Sequence, residues 1–252
     1  MEIEAETRRS PSLDAEEVRR FERLAKEWWD ERGKFRALHA INPARLAFIV
    51  QEAQRWRSGN VPVFRPLEGL SIIDIGCGGG ILSEPLARLG AGVTGIDPVE
   101  ESIGVAEAHA QALGLSIAYR TATAEDIVRQ GQVFDAVMAS EVVEHVADVD
   151  SFLRTCRALC KPGGLLILST LNRTAKSYGL AILAAERVLG LVPPGTHDWK
   201  KFIKPEELEA ALSAAGFKRL SLSGIVFHPL TGAWGLSATD TSVNYMVSAE
   251  AV

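Results

Sequence analysis

The chain has 252 residues, 47% of them hydrophobic, with 27 Lys+Arg against 32 Asp+Glu for a formal charge of −5. That is enough for a sizeable core, while the acidic balance disfavours non-specific nucleic-acid binding, and no apolar run approaches the roughly 20 residues that span a bilayer. Cys77, Cys156 and Cys160 have neither metal-ligand nor disulfide spacing, and the polar opening lacks the apolar stretch of a signal peptide, so a cytoplasmic protein without nucleic-acid partners is expected.

In chain order, residues 1–13 read as a disordered leader and 14–252 as a single domain. Asp14 is placed to cap a helix, with Glu17 three residues on as in a capping box. Val18, Phe21, Leu24 and Trp28 follow at helical spacing. A second helix is expected from near Asn42, with Pro43 in its first turn, running to Arg57 and stopped by Ser58, Gly59, Asn60 and Pro62. These N-terminal helices occupy 14–62. From residue 70, β-rich runs at 70–75, 92–96, 116–120, 133–139 and 165–170 alternate with helical patterns at 81–89, 99–113 and 149–159. That alternation predicts a parallel sheet covered on both faces. Residues 174–190 read as helix and 191–204 as loop, the stretch 172–204 forming an inserted segment. A helix over 205–215 follows, then strands over 217–227 and 242–249 as an antiparallel pair at one sheet edge.

The stretch DIGCGGGILSEPLARLGAGVTGID joins the first strand to the second. Glycine permits positive φ and close approach of a ligand. In an open α/β sheet, ligands bind at the carboxyl ends of the strands. Asp97 closes the second strand where a carboxylate can accept both hydroxyls of an adenosine ribose. The dinucleotide fingerprint G-x-G-x-x-G is not met, because its last position, counted from Gly76, falls on Ile81. The loop resembles the E/D-x-G-x-G-x-G signature of class I S-adenosylmethionine-dependent methyltransferases through Asp74, Gly76, Gly78 and Gly80. The resemblance implies a Rossmann-like, seven-stranded, mostly parallel sheet, and S-adenosylmethionine as cofactor. In such proteins an acidic residue after the third strand lies near the adenine. Glu125 is the candidate and Asp126 the alternative, although acids also suit a helix N-terminus. Ser140, ending the fourth strand, should lie beside the cofactor.

SEVVEHV carries Glu141, Glu144 and His145. On a helix, spacings of three and four put all three on one face. Two carboxylates and an imidazole suit a divalent cation such as Mg²⁺ or Zn²⁺. Glu144 and His145 are also the candidate acid–base residues. The alternative is a helix start with favourable acids and a histidine that shapes the pocket.

Three further segments, WWDERGKFRALHAINPARLAFI, STLNRTAKSYGLAILAAERVLGLVPPGTHDWKKFIKPEEL and VNYMVSAE, are similar to the ubiquinone-biosynthesis O-methyltransferases, and the likeness covers nearly all of the chain after residue 14. The resemblance implies methylation of phenolic hydroxyls on polyprenylated ubiquinone precursors, namely 2-polyprenyl-6-hydroxyphenol and 3-demethylubiquinol. It implies that Arg45 reaches the cofactor's methionine carboxylate, that Gly76, Asp97 and Ser140 line the cofactor, and that Glu141, Glu144 and His145 are metal ligands. Ser140 stands where relatives can carry methionine. The rival readings are a methyltransferase for another small phenol or amine, and a non-catalytic cofactor-binding subunit among other ubiquinone-biosynthesis proteins.

A polyprenyl substrate calls for work at a bilayer surface. In the inserted segment, Leu180, Ile182, Leu183, Val188, Leu189 and Leu191 supply apolar area, while Lys176, Arg187, Lys200, Lys201 and Lys204 supply charge for an anionic membrane. The protein is therefore expected to be peripheral at the inner face of the membrane. A lid helix packed on the core is the other reading. His197 and Asp198 either touch substrate or fix the loop. Trp28, Trp29 and Trp199 either join the core or line the quinone pocket.

Overall fold

The computed structural model describes residues 10–57, 63–179 and 198–252. Eight strands among them form one sheet: β1 (Ser71–Ile75), β2 (Gly92–Asp97), β3 (Ala118–Thr121), β4 (Phe134–Ser140), β5 (Cys160–Leu171), β6 (Phe217–His228), β7 (Ala233–Ser237) and β8 (Asn244–Ala251). Their spatial order is β3-β2-β1-β4-β5-β8-β6-β7. β1 to β5 run parallel, whereas β8 is antiparallel to both β5 and β6, and β7 to β6.

The alternating side chains of β1 explain how the sheet is covered. Ile72 packs with Phe48, Leu86 and Met138 on one face. Ile73 packs with Phe152, Leu153 and Leu208 on the other. Among the described residues the α-helices of six residues or more are α1 (Ala15–Glu22), α2 (Arg36–Trp56), α3 (Ser83–Arg88), α4 (Glu100–Ala112), α5 (Ala124–Arg129), α6 (Val149–Leu159) and α7 (Pro205–Ala214); α2 and α3 supply Phe48 and Leu86, and α6 and α7 supply Phe152, Leu153 and Leu208.

Several expectations are corrected. Residues 10–13, assigned to the leader, form a packed turn in which Ser10 is fully buried and its hydroxyl meets Thr123 Oγ1 at 2.7 Å; residues 1–9 lie outside the described residues. Asp14 does cap α1, accepting from the Glu16 amide, but Glu17 turns to other partners. α2 begins at Arg36, so Pro43 is interior rather than in the first turn. The proline forfeits one helical hydrogen bond, and burial of Ala44, Phe48 and Ile49 offsets the loss. The stop at 58–62 lies outside the described residues.

The sheet has eight strands, not seven. The 217–227 and 242–249 runs do pair antiparallel, but β8 lies inside, between β5 and β6, because it is buried along nearly its whole length. The edge is β7, a five-residue strand in which only Trp234 and Leu236 pack toward the core. Of the inserted segment, one helical turn (Ala175–Ser177), capped by Thr174, and a 3₁₀ turn (Trp199–Lys201), capped by Asp198, are described. The apolar run 180–191, Arg187 and His197 lie outside the described residues. No described helix is long and apolar enough to cross a membrane.

Candidate active site

A cavity of about 1100 Å³ opens over the carboxyl ends of β1, β2 and β4. Its floor is the glycine loop, and its local geometry follows from backbone requirements. Gly76 has φ +67°, and a Cβ there would stand 2.7 Å from Val142 Cγ2. Gly78 has φ +52°, and its Cβ would stand 2.3 Å from Trp28 Cζ2. Only glycine satisfies both constraints. The Trp28 indole donates to Ser102 Oγ at 3.0 Å and stacks on Phe35 with ring centroids 3.8 Å apart. Trp29 Nε1 donates to the Gly79 carbonyl at 2.9 Å. The tryptophan pair thus presses the loop from outside, and Trp28 also lines the cavity.

Asp97 links the loop to the end of β2. Its Oδ2 accepts from the Gly78 amide at 3.0 Å and its Oδ1 from the Val99 amide at 2.9 Å. Burial raises its carboxyl to about 6, against the pull of those two amides. Behind it, Asp74 Oδ2 accepts from Ser83 Oγ at 2.6 Å. Burial, and secondarily the charge of Asp97, raises Asp74 to about 7, while the Ser83 bond and the Arg45 charge oppose the rise.

Of the expected cofactor residues, Arg45, Gly76, Asp97, Glu125 and Ser140 line the cavity. Gly78 does not, because Trp28 covers it; its amide acts through Asp97. Between the acidic alternatives the structure separates roles. Asp126 closes the capping box of α5 with Thr123 and pairs with Arg129. Glu125 faces the cavity and accepts from Ser12 Oγ at 2.6 Å. Ser140 Oγ meets Ser169 Oγ at 2.8 Å. Arg45, expected against the cofactor's carboxylate, here meets Glu141 at 3.1 Å. Its buried Nε makes no hydrogen bond among the described residues, so a second carboxylate fits beside it.

The acidic segment after β4 does not form the expected helix. Residues 141–147 make a turn, entered by Glu141 at φ +56°. In this turn the Glu141 and Glu144 carboxylates remain neighbours, while His145 turns toward α1. Glu141 lines the cavity and accepts from Ser169 Oγ at 2.9 Å. Glu144 points into the core, 3% exposed, accepting from Thr170 Oγ1 at 2.9 Å, with its Oε1 unpartnered. Burial and the nearby Glu141 charge push the Glu144 carboxyl well above its ordinary range. His145 lines the cavity, but its Nδ1 lies 3.1 Å from Glu17 Oε2 on α1. Among the described residues no three His, Cys, Asp or Glu side chains are placed to hold a metal ion. The expected ligand set Glu141, Glu144 and His145 therefore does not fit a cation in this arrangement, and the catalytic expectation for Glu144 meets a side chain that does not face the cavity.

Trp199 settles as a packing residue: its Nε1 donates to the Thr174 carbonyl at 3.0 Å, beside Leu171 and Phe202. Glu17 and Ser12 reach the site over more than a hundred residues of sequence, and nothing in their local pattern signals it.

The fold and the glycine-loop site define a class I methyltransferase. A methyltransferase-domain family model matches residues 45–222. Among solved structures, a SAM-dependent methyltransferase of Thermotoga maritima, described as a possible histamine N-methyltransferase, superposes with TM-score 0.63 at 17% identity, covering 92% of this chain and 98% of that one. The magnesium protoporphyrin IX methyltransferase of Synechocystis, solved with bound SAH, gives 0.53 at 22% identity, covering 83% and 95%. Sequence relatives narrow the class. A ubiquinone biosynthesis O-methyltransferase of Methylobacterium sp. (strain 4-46) is 54% identical over 95% of this chain and 96% of its own length. That of Caulobacter vibrioides is 51% identical over 94% of each. The chain belongs to the ubiquinone biosynthesis O-methyltransferase family.

Proposed function

We propose that this chain transfers a methyl group from S-adenosylmethionine to phenolic hydroxyls of polyprenylated ubiquinone precursors, 2-polyprenyl-6-hydroxyphenol and 3-demethylubiquinol. The observation that carries the reading is the two-sided character of the cavity. One end holds the buried carboxylates Asp74 and Asp97 beneath the glycine loop, and the other is walled by Ile225, Val226, Phe227 and Trp234. A nucleoside suits the first end and a prenylated ring the second. The single sheet, which takes β8 in beside β5, supports treating 14–252 as one domain.

When bound, the cofactor supplies an electrophilic methyl on sulfur. The chain's residues do the rest. Asp97 accepts the ribose hydroxyls, Glu125 lies on the adenine side, Arg45 takes the carboxylate, and Gly76 and Ser140 leave room for the backbone approach. Phenols titrate near 10, so the neutral hydroxyl is a weak nucleophile. His145, at the cavity wall, takes its proton, a contribution of about 10²- to 10⁴-fold. Holding the oxygen in line with the methyl supplies much of the remainder. No metal takes part in this reading, because among the described residues no three of the candidate ligands come together.

We further propose that the protein works at an anionic membrane surface, with exposed Lys200 and the 172–204 segment toward the lipid. Sedimentation with vesicles containing anionic lipid tests this: the full chain should co-sediment at low salt and be released as salt rises. Failure to bind at any salt removes the membrane proposal. For the reaction itself, purified protein should methylate a polyprenylated catechol in preference to short soluble phenols and amines, and the reverse preference defeats the substrate assignment.

A further inference from the structure

β8 opens on an asparagine set between two apolar neighbours. Asn244 pairs with Leu171 of β5 on one side and with Ile225 of β6 on the other. Asparagine is disfavoured in strands, and a buried amide costs free energy unless it is hydrogen-bonded. Three asparagines are buried among the described residues, Asn42, Asn172 and Asn244. Two are committed to the fold: Asn42 Nδ2 donates to the Ile81 carbonyl at 2.8 Å, and Asn172 Nδ2 to the Thr241 carbonyl at 2.9 Å. The side-chain amide of Asn244 has no hydrogen-bond partner among the described residues, yet the residue is only 8% exposed and lines the cavity. Leu171, Ile225, Val243 and Trp234 line it too, so the amide interrupts an apolar wall. A few placed polar groups in an apolar lining are what orient a bound ligand.

The register fixes where this amide stands. Ser140, ending β4, pairs with Ser169 of β5, and Leu171, two residues on, pairs with Asn244. Neighbouring strands lie about 4.8 Å apart, so Asn244 is about 10 Å across the sheet from the strand end assigned to the cofactor. It stands on the way to the apolar wall of β6 and β7.

We infer that Asn244 orients the acceptor ring, its side-chain amide binding the oxygen ortho to the hydroxyl that is methylated. This rests on the substrate class proposed above. In 2-polyprenyl-6-hydroxyphenol that oxygen lies between the reacting hydroxyl and the carbon bearing the tail, as Asn244 lies between β4 and the apolar wall. An amide both donates and accepts. It takes a hydroxyl through either atom and a methoxy oxygen through Nδ2, so one residue serves both proposed substrates, each of which carries an ortho oxygen. A ring without that oxygen leaves the amide unpaired, which discriminates against it.

The test compares 2-farnesyl-6-hydroxyphenol with 3-farnesylphenol, which keeps the reacting hydroxyl and lacks the ortho oxygen, on full-length wild type and Asn244→Leu. Leucine is of similar size, and the amide it replaces makes no hydrogen bond to the described protein, so the unfolding temperature should not fall. Asn244→Leu should lower kcat/KM for the first compound about tenfold, the scale of one lost hydrogen bond, and change that for 3-farnesylphenol less than about twofold. The dissociation constant of S-adenosylhomocysteine should not change. Equal losses on both compounds, the mark of a merely structural role, overturn the inference, and so does an undiminished kcat/KM for the first. Should Asn244→Leu not fold, Asn244→Ala on the same two compounds decides by the same criteria. If the wild type methylates neither compound, the functional reading fails instead, and calorimetric affinities of the two for the S-adenosylhomocysteine complexes of wild type and variant still decide what Asn244 binds.

Discussion

Asp97 sets the behaviour of the cofactor end of the cavity. Its carboxylate oxygens already accept two amides, and each retains capacity for a ribose hydroxyl. Asp97→Ala should weaken S-adenosylhomocysteine binding by about 2–3 kcal/mol, the scale of lost hydrogen bonds to a charged group, and calorimetry measures it. Protonation removes acceptor capacity, so affinity in the wild type should fall as pH drops through about 6, approaching about tenfold per pH unit below that point. A pH-independent affinity between 5 and 8 would exclude the ribose role. Asp74 acts on stability instead. Its folded value of about 7 exceeds its ordinary 3.8, so the folded state holds the extra proton between those values. Its contribution is therefore greatest below about 4 and is lost as pH rises to about 7. Asp74→Asn should flatten that loss in thermal unfolding of the cofactor-free protein. At Gly78 the constraint is steric: Gly78→Ala combines positive φ with a Cβ against the Trp28 ring, and should lower the unfolding temperature and cofactor affinity together.

Elements differ in how plainly the sequence declares them. β1, β2, β4 and α6 could be read because each is an apolar run or a 3.6-period stripe bounded by glycine or a capping aspartate, as Asp148 caps α6. β7 could not, since it is only five residues long and its alternation rests on two large side chains, Trp234 and Leu236. The turn after β4 could not either. E-x-x-E-H suits a helix as well as a turn, and the deciding feature, Glu141 at positive φ, comes from tertiary contacts with Ser169 and Arg45. The glycine loop and Asp97 were legible because their spacing is local; Glu17 and Ser12 reach the site through folding alone. Two predictions belong to these elements. Removing Arg45 from α2 leaves Glu141 without its cation, so Arg45→Ala should destabilise by about 3 kcal/mol, read from denaturant unfolding. Glu144→Gln mimics a protonated carboxyl that already faces Thr170, and should preserve both unfolding temperature and turnover. Loss of turnover in Glu144→Gln, together with stimulation of the wild type by Mg²⁺ or Zn²⁺, would show that the turn rearranges to gather a metal.

At the scale of the whole molecule, the parallel half of the sheet bears the proposed nucleoside end of the cavity, and the antiparallel half supplies the apolar wall at β6 and β7. α1 and the turn preceding it close over both from the N-terminal side, through Ser10 to Thr123, Ser12 to Glu125 and Glu17 to His145. In the proposed function, cofactor, ring and prenyl tail share this one cavity, and the chemistry depends on their being bound together. The most direct measurement is methyl transfer from labelled S-adenosylmethionine to a polyprenylated catechol by the purified full chain, with Asp97→Ala alongside. The account predicts a labelled methyl ether from the wild type, formed faster than from an unprenylated catechol, and little from the variant. No labelled ether from the prenylated substrate, or equal turnover by wild type and Asp97→Ala, would contradict it.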